Sequence, residues 1–141
     1  MAVAVLALGI SSSIVVIGQG MRTMDNARVT TLAGQVLQSQ IEKLRLLSWA
    51  QLTGSDGPSA YATFIPDLAD ATPAQLNRFV VGADKGRCSQ SIVDAPAPFS
   101  STMKVITLTA AWDGLDGRPH SVTYATRYAK NGLSDFFYTA H

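Results

Sequence analysis

The sequence predicts an α+β protein, in which a long N-terminal α-helix packs on a small antiparallel β-sheet head. The first 57 residues lack proline, and an apolar run in them leads into a stripe of helical period. Near the C-terminus, two segments of alternating apolar and polar residues flank a glycine-containing turn. A length of 141 residues accommodates one domain plus an extension.

The predicted helix begins with an uncharged apolar segment, residues 1–21. No charge precedes Arg22, and three serines are the only polar residues in MAVAVLALGISSSIVVI. A bilayer-spanning helix needs about 20 such residues. A basic n-region and a small-residue cleavage site are both missing, so we expect the segment to be retained as a membrane helix. Its expected packing residues are Val3, Val5, Leu6, Leu8, Ile10, Ile14, Val15 and Ile17.

Residues 22–50 continue as an amphipathic helix. The apolar residues recur every three or four positions: Val29, Leu32, Ala33, Val36, Leu37, Ile41, Leu44 and Leu47. The opposing positions are polar: Gln35, Gln38, Glu42 and Arg45. We predict one helix that ends at about Trp49, before the turn-forming TGSDGP, and spans roughly 70 Å. Gly18 and Gly20 mark the expected point of a kink or local unwinding.

Residues 51–141 are predicted to form a β-rich head. Residues 54–76 read as irregular, apart from a short helical turn at Thr72-Pro73-Ala74-Gln75. Residues 77–81 and 89–93 are strand candidates. The clearest signal is an antiparallel hairpin over about residues 103–128. The helix is expected to cover it through Val36, Leu37, Ile41 and Leu44, which would meet Ile106, Leu108, Trp112 and Tyr124.

Two stretches carry a resemblance to a known family. VLALGISSSIVVIGQGMRTMDNARVTTLAGQVLQSQIEKLRLLSW resembles the N-terminal helix of type IV pilins and type II secretion pseudopilins. VITLTAAWDGLDGRPHSVTYATRY resembles the strand, turn and strand that close minor pilins and I-type pseudopilins. The resemblance implies a structural subunit of a homomeric or mixed filament, which polymerises through its apolar N-terminal helix as the filament core. It also implies a bacterial cell-envelope location, with an inner-membrane anchor before assembly and a periplasmic or extracellular filament afterwards.

The family also has features that this sequence lacks. They are a short basic leader ending in Gly and a Glu at the fifth mature position, whereas residue 5 here is Val and the first acid is Asp25. MAVAVLAL resembles what usually follows that Glu, so we expect several residues upstream. A basic leader would also outweigh Arg22 and Arg28, which by the positive-inside rule place the head in the cytoplasm.

Charge and motifs exclude several other classes. The formal net charge is +1 and the basic residues are scattered, which argues against a nucleic-acid partner. We expect no enzymatic activity, cofactor or small-molecule substrate, because no phosphate loop, nucleophile elbow or zinc-binding motif occurs. Asp113, Asp116 and His120 are interpreted as turn residues rather than a metal site. Cys88 is the only cysteine and is expected to be a buried, inert thiol.

Two other functions remain open at this point. The chain could be a membrane-anchored sensor or adaptor in which the helix is only a tether. It could also be a small-ligand binding module, although no residue pattern in the head indicates a binding site. Trp49 and Trp112 are interpreted as core or junction residues rather than as a ligand platform.

Overall fold

The protein combines one long helix with a three-stranded antiparallel sheet. The computed structural model describes the backbone of residues 2–81 and 85–131, and the side chains of residues 10–80 and 87–131. The elements are α1 (Ala2–Arg45), α2 (Trp49–Thr53), α3 (Pro73–Leu76), β1 (Val80–Val81), β2 (Lys85–Gly86), β3 (Cys88–Asp94), β4 (Met103–Asp113) and β5 (Pro119–Ala129). The sheet order is β3-β4-β5, and β1 pairs with β2 in a separate ribbon. The predicted α+β class is therefore confirmed.

The apolar N-terminal segment is only partly covered by this description. Within residues 10–80 and 87–131, no helix has the length and apolar character needed to cross a membrane. The apolar residues 1–9, which precede this range, are not part of that comparison. The side chains of Val3, Val5, Leu6 and Leu8, predicted to pack in a filament core, also lie outside the described residues.

The predicted helical stripe packs on the sheet. Its members Val29, Ala33, Val36, Leu37 and Leu44 are buried. Leu32, Ile41 and Leu47 are partly buried against the same core. The predicted polar side is exposed at Gln35, Gln38, Glu42 and Arg45. The 3.6-residue period thus identified which face of α1 the head covers.

The long helix ends earlier than predicted, at Arg45 rather than at about Trp49. Ser48 begins a second helix, because its hydroxyl accepts the Gln51 N–H (3.3 Å) while Gln51 Oε1 accepts the Ser48 N–H (2.9 Å). The Tyr128 hydroxyl donates to the Leu47 carbonyl at 2.7 Å and fixes the connection between α1 and α2. The capping box at Ser48 and the contact with Tyr128 therefore separate the predicted single helix into α1 and α2.

The predicted unwinding at Gly18 and Gly20 is not present in the single chain. α1 is continuous from Ala2 to Arg45. Two glycines cost a helix about 2 kcal/mol. No described contact opposes the helical hydrogen bonds on this exposed stretch, so the ladder is retained.

The predicted hairpin is present as β4 and β5, joined in register from Met103↔Ala129 to Asp113↔Pro119. Alternate residues of β4 are buried on the face toward α1: Ile106, Leu108, Ala110 and Trp112. β3 is longer than the predicted strand 89–93 and adds Cys88 to this core. Helix and sheet together enclose one hydrophobic core.

Residues 77–81 are only partly a strand. Asn77–Phe79 form a 3₁₀ turn, and only Val80–Val81 are extended. The turn directs Phe79 into the core, where its ring meets Trp112 edge-on with centroids 5.9 Å apart. Burial of this ring outweighs the strand propensity of the segment. The short helix predicted at Pro73 is confirmed as α3.

Candidate assembly surface

Half of the exposed large apolar side chains in the described part of the chain lie on the first half of α1. Every residue from 10 to 24 is exposed. The large apolar side chains among them are 58–75% exposed: Ile10, Ile14, Val15, Val16, Ile17, Met21 and Met24. We call residues 10–24 the projecting segment. A contiguous apolar surface of this kind marks an interaction site for protein or membrane.

The helix enters the head at Val29, which is the first buried residue of α1 among the side chains described from residue 10 onward. From there the residues predicted to join helix and head do so: Val36, Leu37 and Leu44 are at most 2% exposed, as are Ile106, Leu108 and Trp112. Ile41 is partly buried in the same cluster. One helix therefore has two environments, covered after residue 29 and open before residue 25.

Tyr124 lies at the margin of this packing and is 40% exposed. Its hydroxyl would be 3.1 Å from a Cβ placed on Gly34. The missing side chain at residue 34 thus lets the phenol ring lie against the helix backbone. Tyr124 therefore contacts the helix through the edge of its ring. The sequence periodicity did not indicate that Gly34 makes room for this contact.

An ion pair holds α1 where it leaves the head. Arg78 Nη1 lies 2.6 Å from Asp25 Oδ2, and both side chains are partly buried. The pair bridges α1 to the turn that follows α3, across 53 residues of sequence. A partly buried pair of this geometry is stronger than an exposed one.

Beside this ion pair runs a cleft between α1 and α3, with a volume of about 480 Å³. Its helix wall includes Arg28, Val29 and Leu32, and the opposite wall includes Ala74 and Gln75. Arg28 has no ion-pair partner among the described residues. The cleft begins where the projecting segment ends, so the two surfaces adjoin on one helix.

The turn between β4 and β5 contacts α1 at Asn26, close to the point where the helix leaves the head. A Cβ on Gly114 would lie 2.7 Å from His120 Nε2 and 2.8 Å from Asn26 Oδ1, and in contact with Asp116 Oδ1. A side chain at residue 114 would have to displace these three side chains, so glycine favours the close approach of the turn to α1. His120 Nε2 is 3.2 Å from the Asp116 carboxylate, and its ring stacks on Trp112. These side chains brace the turn against the helix.

The acids of this turn are held as carboxylates by local donors. The Arg87 guanidinium, 2.7 Å from Asp113, lowers the pKa of that carboxyl below its usual value. The Arg118 backbone N–H, followed by His120, lowers the pKa of Asp116. In the part of the chain that the structure describes, no group of three or more His, Cys, Asp or Glu could hold a metal ion.

Cys88 lies at the start of β3 and is fully buried. Its burial raises the pKa of the thiol from 9.0 to about 11. A thiol that stays protonated at neutral pH is a poor nucleophile.

The sequence did not predict the features that depend on how distant parts of the chain fold together. Asp25 and Arg78 carry no local signal of their pairing, and the cleft exists only because α3 lies beside α1. The lack of cover from the head did have a signal in the projecting segment, whose apolar residues lie on all sides of the helix. A helix of that kind is typical of a membrane or of the core of a larger assembly, and one small head can cover only a single face.

Comparisons of the chain with protein-family models, curated proteins and solved structures give no match.

Proposed function

We propose that this chain is a structural subunit of a type IV pilus-like or pseudopilus filament and polymerises through its N-terminal helix. The observation that carries the proposal is the projecting segment. It extends an apolar helix beyond a folded head that does not cover it. Residues 2–24 would reach about 35 Å at the α-helical rise.

Two environments can cover such a helix. In a bilayer, its backbone groups are satisfied internally and its side chains meet lipid. In a bundle of identical helices, neighbouring side chains replace the lipid. Ser11, Ser12 and Ser13 are small, which favours close approach of helix backbones. The subunit would move from the inner membrane of a bacterial envelope into a periplasmic or extracellular filament.

The head has a structural role in this proposal and no catalytic one. It packs on one face of the second half of α1 and would form the outer surface of the filament. Contacts that repeat head to tail without closing into a ring produce an open helical polymer.

The test compares two aspartate substitutions at exposed isoleucines. Ile14 is in the projecting segment and 65% exposed, whereas Ile65 is in the head and 83% exposed. Purified chain is diluted from mild detergent and then examined by sedimentation and electron microscopy. We expect filaments from the wild type and from Ile65→Asp, and none from Ile14→Asp, because a charge in a helix core is costly to bury.

The outcomes separate the proposal from its rival. Normal filaments from Ile14→Asp would refute polymerisation through this helix. A wild type that binds vesicles as a monomer and never forms filaments would favour a membrane-anchored sensor or adaptor, in which the helix is only a tether.

A further inference from the structure

We propose that the α1–α3 cleft binds the phosphodiester headgroup of one anionic phospholipid. The inference rests on the proposed function, in which the apolar half of α1 lies in a membrane before assembly. The bound lipid would hold the head at one depth on the membrane surface.

The cleft is mostly polar, and its arginines outnumber its acid by two to one. Six of its nine lining residues are charged or polar: Asp25, Arg28, Thr31, Gln35, Gln75 and Arg78. Asp25 does not repel an anion as a lone carboxylate would, because Arg78 Nη1 lies 2.6 Å from its Oδ2. Arg28 has no ion-pair partner among the described residues, so its charge can serve a ligand. A guanidinium suits a phosphate, because two of its N–H groups can bond two phosphate oxygens.

The wall opposite Arg28 adds a neutral donor. Gln75 Oε1 accepts the Thr72 N–H at 2.8 Å and the Thr72 hydroxyl at 3.0 Å. These bonds orient the amide of Gln75, whose NH₂ group has no acceptor among the described residues. A phosphate in the cleft would thus meet a charged donor on α1 and an amide donor on α3.

The polar face of α1 in the cleft continues into an apolar face on the projecting segment. Steps of three and four residues place one row of residues along one side of the helix: Ile14, Gly18, Met21, Asp25, Arg28 and Leu32. Ile14 and Met21 are 65% and 67% exposed, and no atom would lie within 4 Å of a Cβ on Gly18. A phospholipid has the same order of groups, with acyl chains next to a charged headgroup. Its chains would lie along the apolar part of the row while its phosphate lies in the cleft.

The cleft also lies at the depth of a headgroup. Residues 2–24 would reach about 35 Å, and the hydrocarbon core of a bilayer is about 30 Å thick. Asp25 and Arg28 would therefore lie just outside the hydrocarbon, at the level of the phosphates. The cleft volume of about 480 Å³ is within the range of about 300–1,000 Å³ that is usual for small-molecule sites.

Native mass spectrometry of the full chain tests the site. The chain is released from mild detergent micelles that contain phosphatidylglycerol or phosphatidylcholine with the same acyl chains. We expect one phosphatidylglycerol per chain, bound about tenfold more tightly than phosphatidylcholine, because choline carries a cation that offsets the phosphate charge. Equal affinity for the two lipids, or no retained lipid, would overturn the proposal.

Glycerol phosphate is the second probe, because it has the phosphate without the acyl chains. An excess of it should leave phosphatidylglycerol bound. Displacement of the lipid by an equal concentration of glycerol phosphate would assign the cleft to a soluble phosphate ester and overturn the lipid site.

Two arginine variants separate the cleft from a general attraction of charges. Arg28→Gln should weaken phosphatidylglycerol binding by about tenfold, because the phosphate loses a charged donor. Arg127→Gln removes the same charge from an exposed position on β5, next to Thr126, which contacts Arg45 at the opposite end of α1. Arg127→Gln should leave binding unchanged. Equal weakening by both substitutions would overturn the site.

Filling the cleft gives a second pair of variants. Ala74→Trp should also weaken phosphatidylglycerol binding by about tenfold, whereas Ala125→Trp, at an exposed alanine of β5, should not. Full lipid affinity in a folded Ala74→Trp would overturn the site.

The lipid site and the proposed filament fail in different ways. A wild type that forms filaments but does not prefer phosphatidylglycerol would overturn this inference and leave the proposed function standing. A wild type that prefers phosphatidylglycerol but never forms filaments would refute polymerisation and support the lipid site.

Discussion

At the scale of single residues, missing side chains determine how closely parts of this chain approach each other. Gly34 lets the Tyr124 ring rest on the helix, and Gly114 brings the hairpin turn against Asn26. The periodicity of apolar residues predicts neither contact, because glycine has no side chain that contributes to an apolar stripe. The turn also needs Gly117, whose φ of +73° lies in the left-handed region.

Cys88 leads to a prediction about alkaline pH. Its pKa is near 11 in the folded chain and near 9.0 in the unfolded chain, so the unfolded state loses its proton first. The thiol therefore stabilises the fold fully below pH 9, and this contribution falls by about 2 kcal/mol as the pH rises to 11. Denaturant unfolding followed by the fluorescence of Trp49 and Trp112 should show this loss.

Cys88→Ala is the control for the decline of the free energy of unfolding with pH. All other side chains are the same in both proteins, so the difference between the two declines reports on the thiol. The substitution should lower the free energy of unfolding at pH 7 and flatten its decline between pH 9 and pH 11. Equal declines in the two proteins would contradict the role given to the buried thiol.

At the scale of elements, the division between α1 and α2 shows how a local signal can override a longer one. The apolar stripe continues to Leu47 and favours one helix to Trp49. Ser48 and Gln51 form reciprocal side-chain to backbone bonds that begin a new helix there. The sequence SWAQ contained this capping box, and the helical period of the stripe concealed it.

Ser48→Ala should lower the free energy of unfolding by about 1 kcal/mol, because the Gln51 N–H loses its acceptor. The change is measured by chemical denaturation with tryptophan fluorescence. Ser55→Ala, at an exposed position in the following turn, should have no measurable effect. A loss at residue 55 as large as that at residue 48 would show that the cap does not carry the stability.

At the scale of the whole molecule, the chain consists of a folded head and a helix that extends beyond it. The described side chains of residues 10–24 are all exposed, so they add nothing to the core. The core begins with Val29 and is completed by the sheet. The head thus packs on the second half of α1, whereas the proposed assembly would use the first half.

A fragment of residues 22–141 should therefore fold by itself, with a thermal midpoint within a few degrees of that of the full chain. Circular dichroism and thermal unfolding measure this. A fragment of residues 33–141 lacks both the Asp25–Arg78 pair and Val29, whose burial alone contributes about 1.5–3 kcal/mol. It should be clearly less stable. Equal stability of the two fragments would show that the helix entry point is wrongly placed.

The sequence by itself determined the two periodic elements of this protein. The apolar stripe of α1 and the alternating residues of β4 face the core as predicted, because each pattern reflects one element with one buried face. Only the tertiary structure decided where α1 leaves the head, that Asp25 meets Arg78, and that α3 opens a cleft beside the helix. Those features join residues far apart in the chain, and local periodicity contains no information on how the path between them folds back.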